Sequence, residues 1–87
     1  MIGQGDLRAQ TRQVFENLKG ALEAAGARLD QIVKLTVFMT DVSGLQVYRE
    51  VRDSSFTRDP PASSLVQVSR LVRPELLIEI EAVAVVE

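Results

Sequence analysis

The sequence predicts an α+β domain in the order α-β-α-β-β, with two helices on one face of a mixed sheet. Three observations carry that reading. Apolar residues recur at helical spacing from Leu7 to Ala25. A run rich in β-branched residues, IVKLTVFMT, occupies 32–40, and two further strand-like runs, 63–69 and 76–86, follow Pro60-Pro61.

In the first helix, Leu7, Val14, Phe15, Leu18, Ala21, Leu22 and Ala25 form one apolar stripe, and Arg8, Arg12, Glu16, Lys19 and Glu23 fill the opposite side. Phe15, Leu18 and Leu22 read as core. Asp6 is placed to cap the start, and Gly26 to cap the end. In the strand that follows, alternation puts Val33, Leu35, Val37 and Met39 on one face, and Lys34, Thr36, Phe38 and Thr40 on the other. Asp41 or Ser43 can cap a second helix running through Leu45, Tyr48, Val51, Arg52 and Phe56. Pro60-Pro61 ends it, because proline disfavours helix in the residue before it. The central β-α-β unit predicts a parallel, right-handed crossover, with the last strand antiparallel to a neighbour.

Two helices cover one face of such a sheet. A sheet with its other face in water alternates apolar-in and polar-out. These strands instead carry apolar side chains on both faces, Leu35 and Val37 against Phe38, and Ile78 and Ile80 against Leu77, Val83 and Val85, with polar breaks at Lys34, Thr36, Gln67, Glu79 and Glu81. A further surface is expected to cover the second face, most simply another copy of the chain.

Composition narrows the chemistry. With 87 residues the chain is one domain, of a size that gains only a thin stability margin. It has no cysteine and no histidine. That removes disulfides, Cys/His zinc sites, cysteine nucleophiles and histidine acid–base pairs, and leaves association as the stabilising device. No metal or cofactor is expected. A net charge of −2, with ten basic and twelve acidic residues interleaved, argues against nucleic acid as a partner. The start, MIGQGDLRAQ, has no apolar signal core, and the apolar stretch from Leu76 to Val86 is broken by two glutamates and too short for a bilayer. A cytoplasmic protein without a membrane partner is the resulting expectation.

Three stretches together resemble a known family: QTRQVFENLKGALEAAGARLDQIVKLTVFMTDV, PPASSLVQVSRL and LIEIEAVAVV. They are similar to the Rid/YjgF family of reactive-intermediate deaminases, and the match runs from about Gly5 to Glu87. The resemblance implies a chorismate-mutase-like fold and a homotrimer whose sheets pack into a central barrel, with ligand clefts between subunits. It also implies substrates of the imino- or 2-keto-acid class. Two departures stand out. Family members begin with strands carrying Gly-Pro-Tyr and Ser-Gly-Gln segments, of which Gly3-Gln4 is at most a remnant; without those strands a sheet edge is expected to be bare. The deaminating members also carry Pro-Ala-Arg-Ser, whose arginine grips a carboxylate. Here the stretch reads Pro61-Ala62-Ser63-Ser64, and a hydroxyl replaces a guanidinium fork. Arg58, Arg70 and Arg73 lie nearby in sequence without a motif to recruit them.

The resemblance assigns Glu79 the role of positioning the water that hydrolyses an imine, and Ser63 the place of the clamp, with Leu65 and Gln67 on the same face as Ser63. Against this, Glu79 and Glu81 also suit a hydrated sheet face or an ion pair, Ser63 a strand start after Pro-Pro, and Leu65 the core. Tyr48 reads as core with an exposed hydroxyl. Asp53, Ser54 and Ser55 lack a base to activate a nucleophile. Three functions follow: a metabolite-binding protein without arginine-dependent deaminase chemistry, an active imine deaminase, or an interaction protein that recruits a strand to a bare edge. Ribonuclease activity, ascribed to some relatives, has no support from the charge balance.

Overall fold

The structure, a computed structural model, describes residues 6–56 and 60–86. Helix α1 spans Leu7–Ala24, β1 Ile32–Met39, α2 Leu45–Ser55, β2 Ala62–Gln67 and β3 Ile78–Ala84. Short 3-10 turns precede β1 at Leu29–Gln31 and α2 at Val42–Gly44. Arg58 lies outside the described residues. No helix among the described residues is long and apolar enough to cross a membrane.

Both ends of α1 follow from local chemistry. The Asp6 carboxylate accepts from the Ala9 N–H at 3.1 Å. At the other end Gly26 takes a φ of 82°, open to glycine without strain. Its N–H bonds the Glu23 carbonyl at 3.1 Å, and Ala27 N–H bonds the Leu22 carbonyl at 2.7 Å, a Schellman stop that tucks Ala27 into the core. For the second helix, Asp41 caps the 3-10 turn, accepting from Ser43 N–H at 2.9 Å. Two hydrogen bonds from Ser43 hold the Asp41 carboxyl below its ordinary pKa. Gly44 joins that turn to α2 because a side chain there would collide with Leu7 of α1.

The sheet order is β2-β1-β3. β1 and β2 run parallel, with Leu35 beside Ser63, Val37 beside Leu65 and Met39 beside Gln67. β1 and β3 run antiparallel, with Thr36 opposite Glu81, Val37 opposite Ile80 and Phe38 opposite Glu79. One predicted facing is corrected here. Val33 does not join Leu35, Val37 and Met39; it is 49% exposed, and Ile32 is buried in its place. The register shifts between Ile32 and Lys34, so the extra residue in β1 turns Val33 to the open side with Lys34.

Both helices pack on the face that carries Leu35, Val37, Met39, Ile78 and Ile80. Phe15 of α1 lies between two rings of the second helix region, stacked near Tyr48 at 6.4 Å and edge-on to Phe56 at 5.9 Å. Burying each large apolar side chain of this layer contributes roughly 1.5–3 kcal/mol. The other face has no covering element among the described residues, and Val66 and Val83 on it are 45% and 55% exposed.

The last strand starts two residues later than its apolar run suggests. Gln10, buried on α1, donates its amide to the Glu75 carbonyl at 3.0 Å and accepts the Leu77 N–H at 2.8 Å. That side-chain amide stands in for a strand partner just before β3 begins.

Candidate functional site on the open sheet face

Glu79 and Glu81 stand on β3, two residues apart, so both point to the open face. Glu79 lies opposite Phe38 and Glu81 opposite Thr36; Lys34 stands opposite Val83. On the far strand Val66 flanks Phe38, and Ser64 flanks Thr36. Among the described residues neither glutamate forms an ion pair. The face thus combines an apolar centre (Phe38, Val66, Val83) with two free carboxylates along one edge. Such carboxylates can orient water or accept from a ligand N–H or O–H.

Glu79 also reaches the rim of a second feature. The outer edge of β3 and α1 enclose a groove of about 340 Å³, lined by Val14, Leu18, Ala21 and Ile78 among others, with Asn17 and Glu79 as its polar groups. No strand pairs with that edge among the described residues.

The other three predicted site residues lie elsewhere. Ser63, Leu65 and Gln67 sit on β2 with side chains on the helix-covered face, because they pair with Leu35, Val37 and Met39. The Ser63 hydroxyl is 3.2 Å from the Tyr48 hydroxyl. Leu65 is half-buried and packs on the core. Gln67 Oε1 accepts from Val42 N–H at 3.0 Å and so braces the turn before α2. Glu79 is separated from this trio twice over, by the sheet itself and by β1. Two strand spacings amount to roughly 9.5 Å. One chain therefore does not bring Glu79 and Ser63 into one pocket.

Tyr48 corrects another expectation. It is core, only 1% exposed, but its hydroxyl is not free in water. The ring lies under the Arg52 guanidinium at 5.8 Å, and the hydroxyl ties α2 to β2 through Ser63. Gln10 escaped the sequence reading entirely. Its signal was a polar residue inside the apolar stripe, three after Leu7 and four before Val14.

Comparison with known proteins places this geometry. The family described as Endoribonuclease L-PSP matches residues 1–86. The chain belongs to this family, the Rid/YjgF family. It is 46% identical over 83 residues to a RutC family protein of Pyrococcus horikoshii, covering 95% of this chain and 65% of the relative. It is 42% identical over 83 residues to the 2-iminobutanoate/2-iminopropanoate deaminase of Salmonella typhimurium, covering 92% of this chain and 64% of that protein. A crystal structure of a YjgF family member from Mycobacterium tuberculosis superposes with a TM-score of 0.90 at 40% identity, over 93% of this chain and 69% of that one. The Rid-family chain thus spans just under two thirds of the curated relatives it matches, and its fold is the chorismate-mutase-like fold of the family.

Proposed function

We propose that this Rid-family chain binds a small metabolite at a seam between protomers and lacks the arginine-dependent deamination of imino acids. Position 63 carries the proposal. The residue standing where the deaminating motif has arginine is a serine, and its hydroxyl is engaged by Tyr48. A neutral, engaged hydroxyl offers a carboxylate far less than a guanidinium fork does. The intersubunit location draws support from two facts. Glu79 and the Ser63–Gln67 strand lie on opposite faces and opposite edges of one sheet, so only neighbouring chains can bring them together. The open face around Phe38, Val66 and Val83 is also apolar enough to seek a second copy. A homotrimer is the arrangement this reading expects.

The name of the Salmonella relative favours a second reading. In it, water held by Glu79 adds to the C=N carbon of a 2-imino acid, ammonia leaves, and a 2-keto acid remains. A third reading, recruitment of a partner strand, draws on the groove beside the edge of β3 that no strand pairs among the described residues.

One assay separates the first two. Ammonia release from 2-iminobutanoate, generated in situ, is followed for the wild type, Glu79→Gln and Ser63→Arg. The expected wild-type rate equals the uncatalysed rate, with Ser63→Arg alone gaining affinity for 2-ketobutyrate. A wild-type rate above background that Glu79→Gln removes would establish the deaminase reading in its place.

A further inference from the structure

On the helix side of the sheet lies a concavity of about 410 Å³ between the middle of α1 and the last turn of α2. That volume falls within the range of small-molecule sites. Its floor is apolar: the buried Phe15 ring and the half-buried Leu29. Its walls carry charges of both signs. Arg12, Glu16 and Lys19 rise from one face of α1, one turn apart, in the order cation, anion, cation.

Residues at these spacings ordinarily pair with each other along a helix. Here no ion pair joins Arg12 to Glu16 or Glu16 to Lys19 among the described residues. The cation-before-anion order of Arg12 and Glu16 is also the weaker of the two orientations. Among the described residues the three charges therefore have no ion-pair partner and face the concavity.

The opposite wall has one polarity. Ser54 and Ser55 both donate their hydroxyl protons to the Val51 carbonyl, at 2.7 and 3.0 Å. What they turn outward is lone pairs, which accept. They also sit at the C-terminal end of α2, where the helix carries partial negative charge. This side suits a cation, and Glu16 reinforces it. Arg12 supplies a planar fork for a carboxylate, while Lys19 stands on the far side of Glu16 and bounds the cation end of the concavity.

From this arrangement we propose that the α1/α2 concavity binds a zwitterionic amino acid with a small apolar side chain. The carboxylate meets Arg12, the ammonium meets Glu16 and the serine oxygens, and the side chain lies on Phe15 and Leu29. The site is independent of the open sheet face and of Glu79.

The test is an amide-resolved NMR titration of the protein with L-leucine, 4-methylpentanoate and 3-methylbutylamine. The two analogues keep the apolar chain but lack the ammonium and the carboxylate respectively. Leucine is expected to give saturable shifts at Arg12, Glu16, Lys19, Ser54 and Ser55, and each analogue to bind at least roughly tenfold more weakly. Arg12→Gln and Glu16→Gln, both at exposed positions, are expected to weaken leucine by a similar factor, and Glu79→Gln to leave it unchanged. Absence of saturable shifts overturns the site. So does equal binding of leucine and either analogue. Shifts confined to β1 and β3 and lost in Glu79→Gln overturn it as well, and would speak for the sheet-face site instead.

Discussion

The two faces of the sheet are made by the same strands and differ by a single step of register. On the helix side, Leu35, Val37 and Met39 are fully buried. One residue along, Thr36 and Phe38 stand on the open side beside Glu79, Glu81 and Val83. The covered face is closed by elements of its own chain, and its stability is that of an ordinary core. The open face is apolar yet uncovered, and its carboxylates have no internal partners among the described residues. What distinguishes a core from a candidate binding surface here is coverage, more than composition.

The sharpest way to test that contrast is to remove side chains from each face. Leu35→Ala is expected to cost about 2–5 kcal/mol, read as a lowered urea midpoint with an unchanged slope. On the other face, Phe38→Glu is expected to leave the circular dichroism of the folded chain intact and to abolish self-association in sedimentation. A wild type that sediments as a single folded chain at every concentration would break the comparison, because the open face would then need no partner.

Smaller effects sharpen it. Gln10→Ala leaves the Glu75 carbonyl and the Leu77 N–H without their partner, which is expected to cost about 1–3 kcal/mol. Hydrogen exchange at Leu77 should accelerate before that at Leu35, which lies in the central strand. Tyr48→Phe removes the bond to Ser63 and is expected to cost about 0.5–1.5 kcal/mol, with a double-mutant cycle against Ser63→Ala showing coupling. Additive losses would mean that the two hydroxyls do not act together, and Ser63 would be free for a ligand.

The smallest effect is electrostatic. Arg8 bonds Glu50 at 2.6 Å between the helices and holds its carboxyl below the ordinary pKa, with help from Gln46. A depressed carboxylate stabilises the fold above its unfolded pKa, and that contribution fades as pH falls through the folded value. Both side chains are exposed, so the contribution is slight and salt-sensitive. An NMR titration should show the Glu50 midpoint rising in Arg8→Gln, and an unmoved midpoint would remove the pair as its cause.

Much of the architecture was legible in one dimension. The α1 stripe, the Asp6 cap and the Gly26 stop are signals within a few residues, and each appears where the spacing put it. Alternation correctly separated Phe38 from Leu35 and Val37, and placed Glu79 and Glu81 together. It failed at Val33, where one extra residue in β1 inverts the parity against β3. The candidate site was less legible. The resemblance implies a cleft between subunits for Glu79 and Ser63, and within one chain the strand order sets them on different edges and faces, a relation no local pattern encodes.

The sequence alone determined which helices and strands form, where α1 starts and stops, and that position 63 offers a hydroxyl in place of a guanidinium, because periodicity, capping and residue identity act over a turn or two of chain. Only the tertiary structure set the strand order, the bulge at Val33, the Gln10 clamp on the Glu75–Leu77 segment and the Tyr48–Ser63 contact. These depend on hydrogen bonds and packing between residues far apart in sequence, whose register no local pattern encodes.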